Sequence, residues 1–174
     1  MKNRLTLRIF DHLPASVAPG QVWQGGATDL GARRMIANPP RWLHLADEAL
    51  PPSQKPPLLG WDMEQINPGN LASPENAGGV ILVSMTPEPE REEEFNDWYD
   101  IETIPFFNQI PGVITARRFR AITGSPRYVA PYHVETTDIY PTRAWMVINE
   151  TPWILRMRRF QRDRTYFMFS ERVR

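Results

Sequence analysis

Residues 92–120, EEEFNDWYDIETIPFFNQIPGVITARRFR, bring phenol, carboxylate, indole and guanidinium groups within one short span. Phe95, Trp98, Tyr99 and Glu102 stand at i, i+3, i+4 and i+7, which is one face of a helix. A Tyr99 phenol beside a cavity can hydrogen-bond a substrate oxygen. Glu102, raised in pKa by burial, can act as a general base. The plainer alternatives are that Trp98 is core and that Glu102 is one more surface acid. Arg117, Arg118 and Arg120 follow on an alternating stretch that sends Arg118 and Arg120 to one face and Arg117 with Phe119 to the other. An arginine directed at a packed surface needs an anionic partner. That partner is either a substrate carboxylate or enolate, held by the planar guanidinium fork, or an acid of the preceding helix.

Of the three histidines, only His133 lies in the C-terminal part, and it is the residue there that titrates near neutral pH. His12 and His44 sit upstream and become relevant only if that segment folds over a cavity mouth, where His44 beside Trp42 is the better candidate. The histidines lack HxH or HxxxH spacing, and no cysteine is present. No sequence-local metal site is therefore expected, nor a disulfide or thiolate chemistry. GxGxxG, P-loop and GxSxG motifs do not occur, so neither a nucleotide cofactor nor the usual serine hydrolase arrangement is expected.

These groups must be positioned by a recognisable run of elements. GGVILVSMT reads as a buried strand and PEPEREEEFNDWYDIETIPFF, residues 87–107, as a helix with acids at its start and a break or kink at Pro105. VITARRFRAI and RYVAPYHVET read as two strands of a hairpin, with Pro131 placed at an edge or bulge. A helical region interrupted near Thr151 and Pro152 and a final strand at TYFMFS complete the order β-α-β-β-α-β, while RFQRDR before that strand reads as a solvated basic turn. This is the α+β, ferredoxin-like βαββαβ arrangement, with two helices on one face of a four-stranded antiparallel sheet. The other face needs cover, and a second copy of the chain supplies it most economically, as a homodimer whose sheets close into a barrel.

Upstream the signals weaken. Ten of the 18 prolines and eight of the ten glycines lie in the first 79 residues. Residues 1–77 therefore read as a Pro/Gly-rich, irregular extension (a lid, an arm or a degenerate repeat), with one strand at RLTLRIF and one short helix over residues 41–50. Residues 78–174 read as the compact domain. Zero net charge argues against nucleic acid as a partner. No apolar run reaches a membrane span, and the N-terminus turns polar too soon for a signal peptide, so a cytoplasmic protein is expected.

At FNDWYDIETIPFFNQIPGVITARRFRA, PRYVAPYHVE and TPWILRMR the chain resembles the dimeric α+β barrel superfamily that includes the EthD-like proteins, over residues 78–170. Relatives of that kind commonly read W-Y-x-x-E-H-I-P; here Thr103 stands in place of the histidine, and a threonine cannot shuttle protons near neutral pH. The resemblance implies a cofactor-independent enzyme of isomerase, decarboxylase/lyase or cyclase type. Its substrate would be a small aromatic or polyketide-like organic acid or lactone. Tyr99, His133 and Glu102 would move protons, with Arg117, Arg118, Trp98, Thr103, Tyr128 and His44 around the substrate. Two alternatives stay open. One is a non-catalytic binding or accessory dimer; the other is a haem- or oxygen-using monooxygenase-like member with His133 as axial ligand.

Overall fold

The computed structural model describes residues 3–16, 19–29 and 34–173. Nine strands occur in chain order: β1 (Arg4–Phe10), β2 (Gln21–Asp29), β3 (Arg34–Ala46), β4 (Leu59–Asn67), β5 (Gly79–Pro87), β6 (Val113–Ala116), β7 (Arg118–Thr123), β8 (Tyr128–Val134) and β9 (Gln161–Val173). They form one antiparallel sheet in the order β5-β9-β2-β3-β1-β4-β7-β8, and β8 pairs back onto β5. The sheet is thus a closed barrel of eight strands, with β6 and β7 as two pieces of one. Closure leaves no free edge, which is how an all-antiparallel sheet avoids unpaired backbone groups.

The break between β6 and β7 has a local cause. Arg117 N–H donates to Pro131 O at 3.2 Å, but Pro131 has no N–H to return, so the ladder is interrupted there. β8 is flanked by β5 on one side and by β6 and β7 on the other, so Pro131 is not at an edge as its residue type suggests. The proline is accommodated by interrupting its neighbour strand.

Alternation divides each strand between two cores. Leu5, Leu7, Trp23, Leu43, Trp61 and Met63 of the first half meet Val80, Leu82, Phe119, Val129 and Phe169 of the second inside the barrel. Side chains fill that interior. Its end near residues 68–77 is plugged: Arg117 donates to Leu71 O and Ser73 Oγ, and Gln65 donates to Pro68 O. The residues of opposite parity, among them Ile81, Val83, Met85, Tyr132 and Met168, face outward beneath a helical layer.

That layer has two parts. The first is α1 (Glu92–Trp98), a π turn (Tyr99–Thr103) and α2 (Ile104–Phe107). The second is α3 (Arg143–Met146) and α4 (Pro152–Met157) joined by tight 3₁₀ turns. Pro105 explains the π turn: it cannot donate to the carbonyl of Ile101, its ring crowds that carbonyl, and the turn widens so that Ile104 N–H reaches Tyr99 O instead. The helix therefore passes through Pro105. Thr142 and Thr151 cap α3 and α4, their hydroxyls accepting from Trp145 N–H and Ile154 N–H.

Four expectations change here. The leading segment is not irregular: it contributes β1 to β4, half of the barrel wall. Residues 41–50 are not a helix, because Leu43 and Leu45 point inward while Trp42 and His44 point outward as the end of β3. RFQRDR is not a solvated turn, since β9 already begins at Gln161. The sheet face that a second copy was expected to cover is covered by β1–β4 of the same chain. No helix among the described residues is long and apolar enough to cross a membrane.

Candidate active site

Between the helical layer and the outer face of β5, β8 and β9 lies a cavity of about 260 Å³. Its walls are aromatic. Trp98 and Tyr99 come from the helix at its π turn, Phe107 from α2, Trp145 from α3, Tyr132 from β8 and Tyr166 from β9. The rings are interlocked: Phe107 stands 4.7 Å from Tyr132 and 4.6 Å from Trp145, and Trp98 stands 4.6 Å from Tyr99. Such edge-to-face packing holds each ring in one orientation.

Thr103, Asn149, Glu150, Arg158, Gln161 and Arg164 add polar groups to this wall beside the tyrosines. Tyr99 Oη donates to Met85 Sδ at 3.9 Å, and the phenols of Tyr99, Tyr132 and Tyr166 are close enough to act electrostatically on one another. Burial pushes Tyr99 up to about 12, partly offset by the Arg118 guanidinium, and pushes Tyr132 well above the ordinary phenol value. Both are therefore neutral donors across the physiological range. Arg164 Nη2 donates to Tyr166 Oη at 2.6 Å, and its guanidinium carbon lies 5.2 Å from the centre of that ring. Two buried polar atoms that line the cavity have no partner, Thr103 Oγ1 and Gln161 Nε2, and Arg164 Nε likewise has none. An orphaned donor costs about 1–3 kcal/mol. A ligand oxygen in the cavity would relieve that cost.

Trp98, Tyr99 and Thr103 are thus brought together. The remaining candidates are not. Glu102 accepts from Trp98 Nε1 at 3.1 Å and from Thr151 Oγ1 at 2.7 Å, tying the helix to the cap of α4. Arg118 lies behind the cavity wall, over the rings of Tyr99, Tyr128 and Phe95 at 4.3, 4.5 and 4.9 Å, and donates to Asn96 Oδ1 at 2.6 Å. It holds Tyr99 in place and does not line the cavity. Tyr128 donates to Glu92 Oε1 at 2.5 Å on the far side of that stack.

Arg117 and His133 point the other way, into the barrel, as the period of two requires once Tyr132 faces outward. Arg117 is fully buried and pairs with Asp47. His133 is fully buried too, neither ring nitrogen has a hydrogen-bond partner, and desolvation with the nearby Arg117 charge lowers its pKa well below the usual value. A side chain enclosed in this way does not fit the role of axial ligand to a haem. His44, on the outer face of β3, donates from Nε2 to Pro19 O at 2.8 Å and lies on the other half of the barrel. Among the described residues no group of three or more His, Asp or Glu is placed to hold a metal ion.

Sequence reasoning missed Tyr132, Tyr166, Arg164 and Gln161. The signal existed in part: with Phe167 and Phe169 inward, Tyr166 must face outward, but nothing local says that a helix covers that face.

No family model and no curated protein matches the chain. Solved structures do match, over its whole length. One described as "a major regulator of staphylococcal pathogenesis" covers 97% of this chain and 98% of its own at TM-score 0.58 and 9% identity. A "putative monooxygenase" from Lactobacillus acidophilus covers 99% and 94% at TM-score 0.54 and 10% identity. An "anthrone oxidase-like protein" covers 99% and 93% at TM-score 0.52 and 10% identity. At these identities the likeness is one of fold.

Proposed function

We propose that the chain is a cofactor-independent enzyme acting on a small aromatic or polyketide-like organic acid or lactone in the cavity between the helices and β5, β8 and β9. The observation that carries this reading is the convergence of four phenols, those of Tyr99, Tyr132, Tyr140 and Tyr166, on an aromatic-walled cavity in which Thr103 Oγ1 and Gln161 Nε2 have no partner. Phenols whose pKa is raised stay protonated, so here they act as hydrogen-bond donors and not as bases. They suit stabilisation of an enolate or phenolate that develops on the substrate, with Arg158 and Arg164 as the cations that line the cavity. Neither His133 nor Glu102 reaches the cavity, whereas Glu150 lines it and is the carboxylate placed to take a proton from a substrate that is itself acidic. Isomerisation, decarboxylation or ring closure of such an anion is the leading reaction type.

A second reading follows from the same bound anion and is supported by the printed names of the structural neighbours. The enolate reacts with O₂: a ring methylene becomes a carbonyl, one oxygen atom is retained and the other leaves as water. The four electrons lost by carbon match those gained by O₂. Incubating the protein with an anthrone and with a hydroxynaphthoic acid, in air and under argon, separates the readings. Turnover under argon supports proton transfer alone. Turnover confined to air with matching O₂ consumption supports oxygenation. Neither binding nor turnover with any member of the class sinks both.

We also propose that residues 1–77 and 78–174 are two ferredoxin-like halves of a tandem dimeric α+β barrel, so that the chain supplies its own partner half. The repeated strand order around the barrel supports this division.

A further inference from the structure

Followed from β9, the ring reads fourth, first, third and second strand of the C-terminal half (β9, β5, β8, β7), then fourth, first, third and second strand of the N-terminal half (β4, β1, β3, β2). In the C-terminal half, the connections after the first and third strands are the two helical segments, and the aromatic cavity lies beneath them. In the N-terminal half the same two connections are residues 11–20 and 47–58, which carry no helix among the described residues and are rich in proline. They arch over the outer face of β1 and β3 and enclose a second cavity of about 820 Å³.

We infer that this second cavity is a binding site for a small organic anion with an apolar body, separate from the aromatic cavity. Phe10 on the floor, Leu13 on one connection and Leu50 with Pro51 on the other supply the apolar wall. Arg8, His12, His44 and Lys55 line it as well, and no acidic side chain does so among the described residues. Arg8 and His44 are direct cross-strand partners, so a guanidinium and an imidazole share the floor, the imidazole already donating to Pro19 O. Gly60 on β4 is what lets Arg8 lie flat there: a Cβ at that position would stand 2.8 Å from Arg8 Cδ and 3.3 Å from Pro57 Cγ. Laid across β4, Arg8 donates to Trp61 O and pairs with Asp62 at 2.7 Å, which fixes its direction and shares part of its charge. His12 packs against Phe10 with ring centres 5.3 Å apart and bonds Asp11. Lys55 on the rim is exposed, so its charge is the one most available to an incoming anion.

Titration with anilinonaphthalene sulfonate, an apolar anion, by calorimetry and fluorescence tests this. Three variants accompany the wild-type protein: Lys55→Glu and Leu13→Trp, both at exposed positions of the second cavity, and Thr103→Trp, which fills the first. Lys55→Glu is expected to weaken binding about tenfold. Leu13→Trp is expected to abolish it, and Thr103→Trp to leave it in place. The uncharged parent amine should bind at least about tenfold more weakly than the sulfonate. Absence of binding by the wild-type protein overturns the inference. So does binding that survives in Lys55→Glu and Leu13→Trp but disappears in Thr103→Trp, and so does equal binding of the uncharged amine.

Discussion

Tyr99 and Tyr132 reach the aromatic cavity from different elements and differ in what else they touch. Tyr132 sits on a barrel strand among Phe107 and Trp145, while Tyr99 is held by Arg118 beneath its ring. Replacing either by Phe leaves the packing and removes one donor aimed at the developing charge. Loss of a single such donor typically lowers turnover about a hundredfold. The expected result for Tyr132→Phe is that drop in kcat with an unchanged urea midpoint; a drop confined to KM would assign Tyr132 to ground-state binding instead. His133 gives a residue-scale prediction of another kind. Its folded pKa is lowered and its unfolded value is 6.5, so above pH 6.5 both states are neutral and the group has no effect on stability. As pH falls below 6.5 the unfolded chain takes up a proton that the fold refuses, and stability declines with a slope approaching about 1.4 kcal/mol per pH unit. His44, also lowered by burial, adds to the slope with the same sign. His133→Leu should therefore flatten the decline between pH 6.5 and 5 in urea denaturation, and an unchanged slope would mean that His133 takes up its proton in the fold.

At the scale of elements, the helix with its π turn is held to α4 by one carboxylate. Glu102 accepts from both Trp98 and Thr151, and Thr151 also caps α4. Thr151→Val removes the cap and one of the two donors to Glu102, which is expected to cost about 1–3 kcal/mol. Because both helices wall the cavity, ligand affinity should fall with it; a thermal midpoint equal to that of the wild-type protein would show the cap to be dispensable. The same elements show how far sequence could be read. β5, β7, β8 and the helix of residues 92–107 were legible because each has a clean period, two or 3.6, over enough residues. β3 was not. In RWLHLADEAL the period of two at Leu43 and Leu45 is short, and Asp47, Glu48 and Ala49 add helix-favouring residues that in fact form the turn leaving the strand. β2 carries Gly25 and Gly26, which resemble loop but are required by contact: a Cβ at Gly25 would meet Met168 O at 1.9 Å and one at Gly26 would meet Ile36 O at the same distance. Tyr99 could be assigned to the site because the helix face carries it, and Thr103 because it stands where the resembling sequences have a histidine. Arg117 and His133 were assigned to it because alternation gives two faces without saying which one the cavity adjoins.

For the whole molecule, the two halves are mutually dependent. Val80, Leu82, Phe119, Val129 and Phe169 of the second half are buried against Leu5, Leu7, Trp23, Leu43 and Trp61 of the first. Full exposure of each such side chain costs about 1.5–3 kcal/mol, so these five together are comparable with the whole net stability of a typical small domain. A fragment of residues 78–174 keeps its helices and its aromatic cavity but uncovers this face and the edges of β7 and β9, which β4 and β2 pair in the full chain. The strand order of the two halves matches, so a second copy of the fragment can present β9 to β7 and β7 to β9 and close the ring again. The full chain is expected to sediment as a monomer. The fragment is expected to sediment as a dimer whose Arg117, deprived of Asp47, Leu71 and Ser73, makes it less stable than the full chain. A folded, monomeric fragment would show that the inner face needs no partner, and a full chain that dimerises through that face would show that β1–β4 do not occupy it.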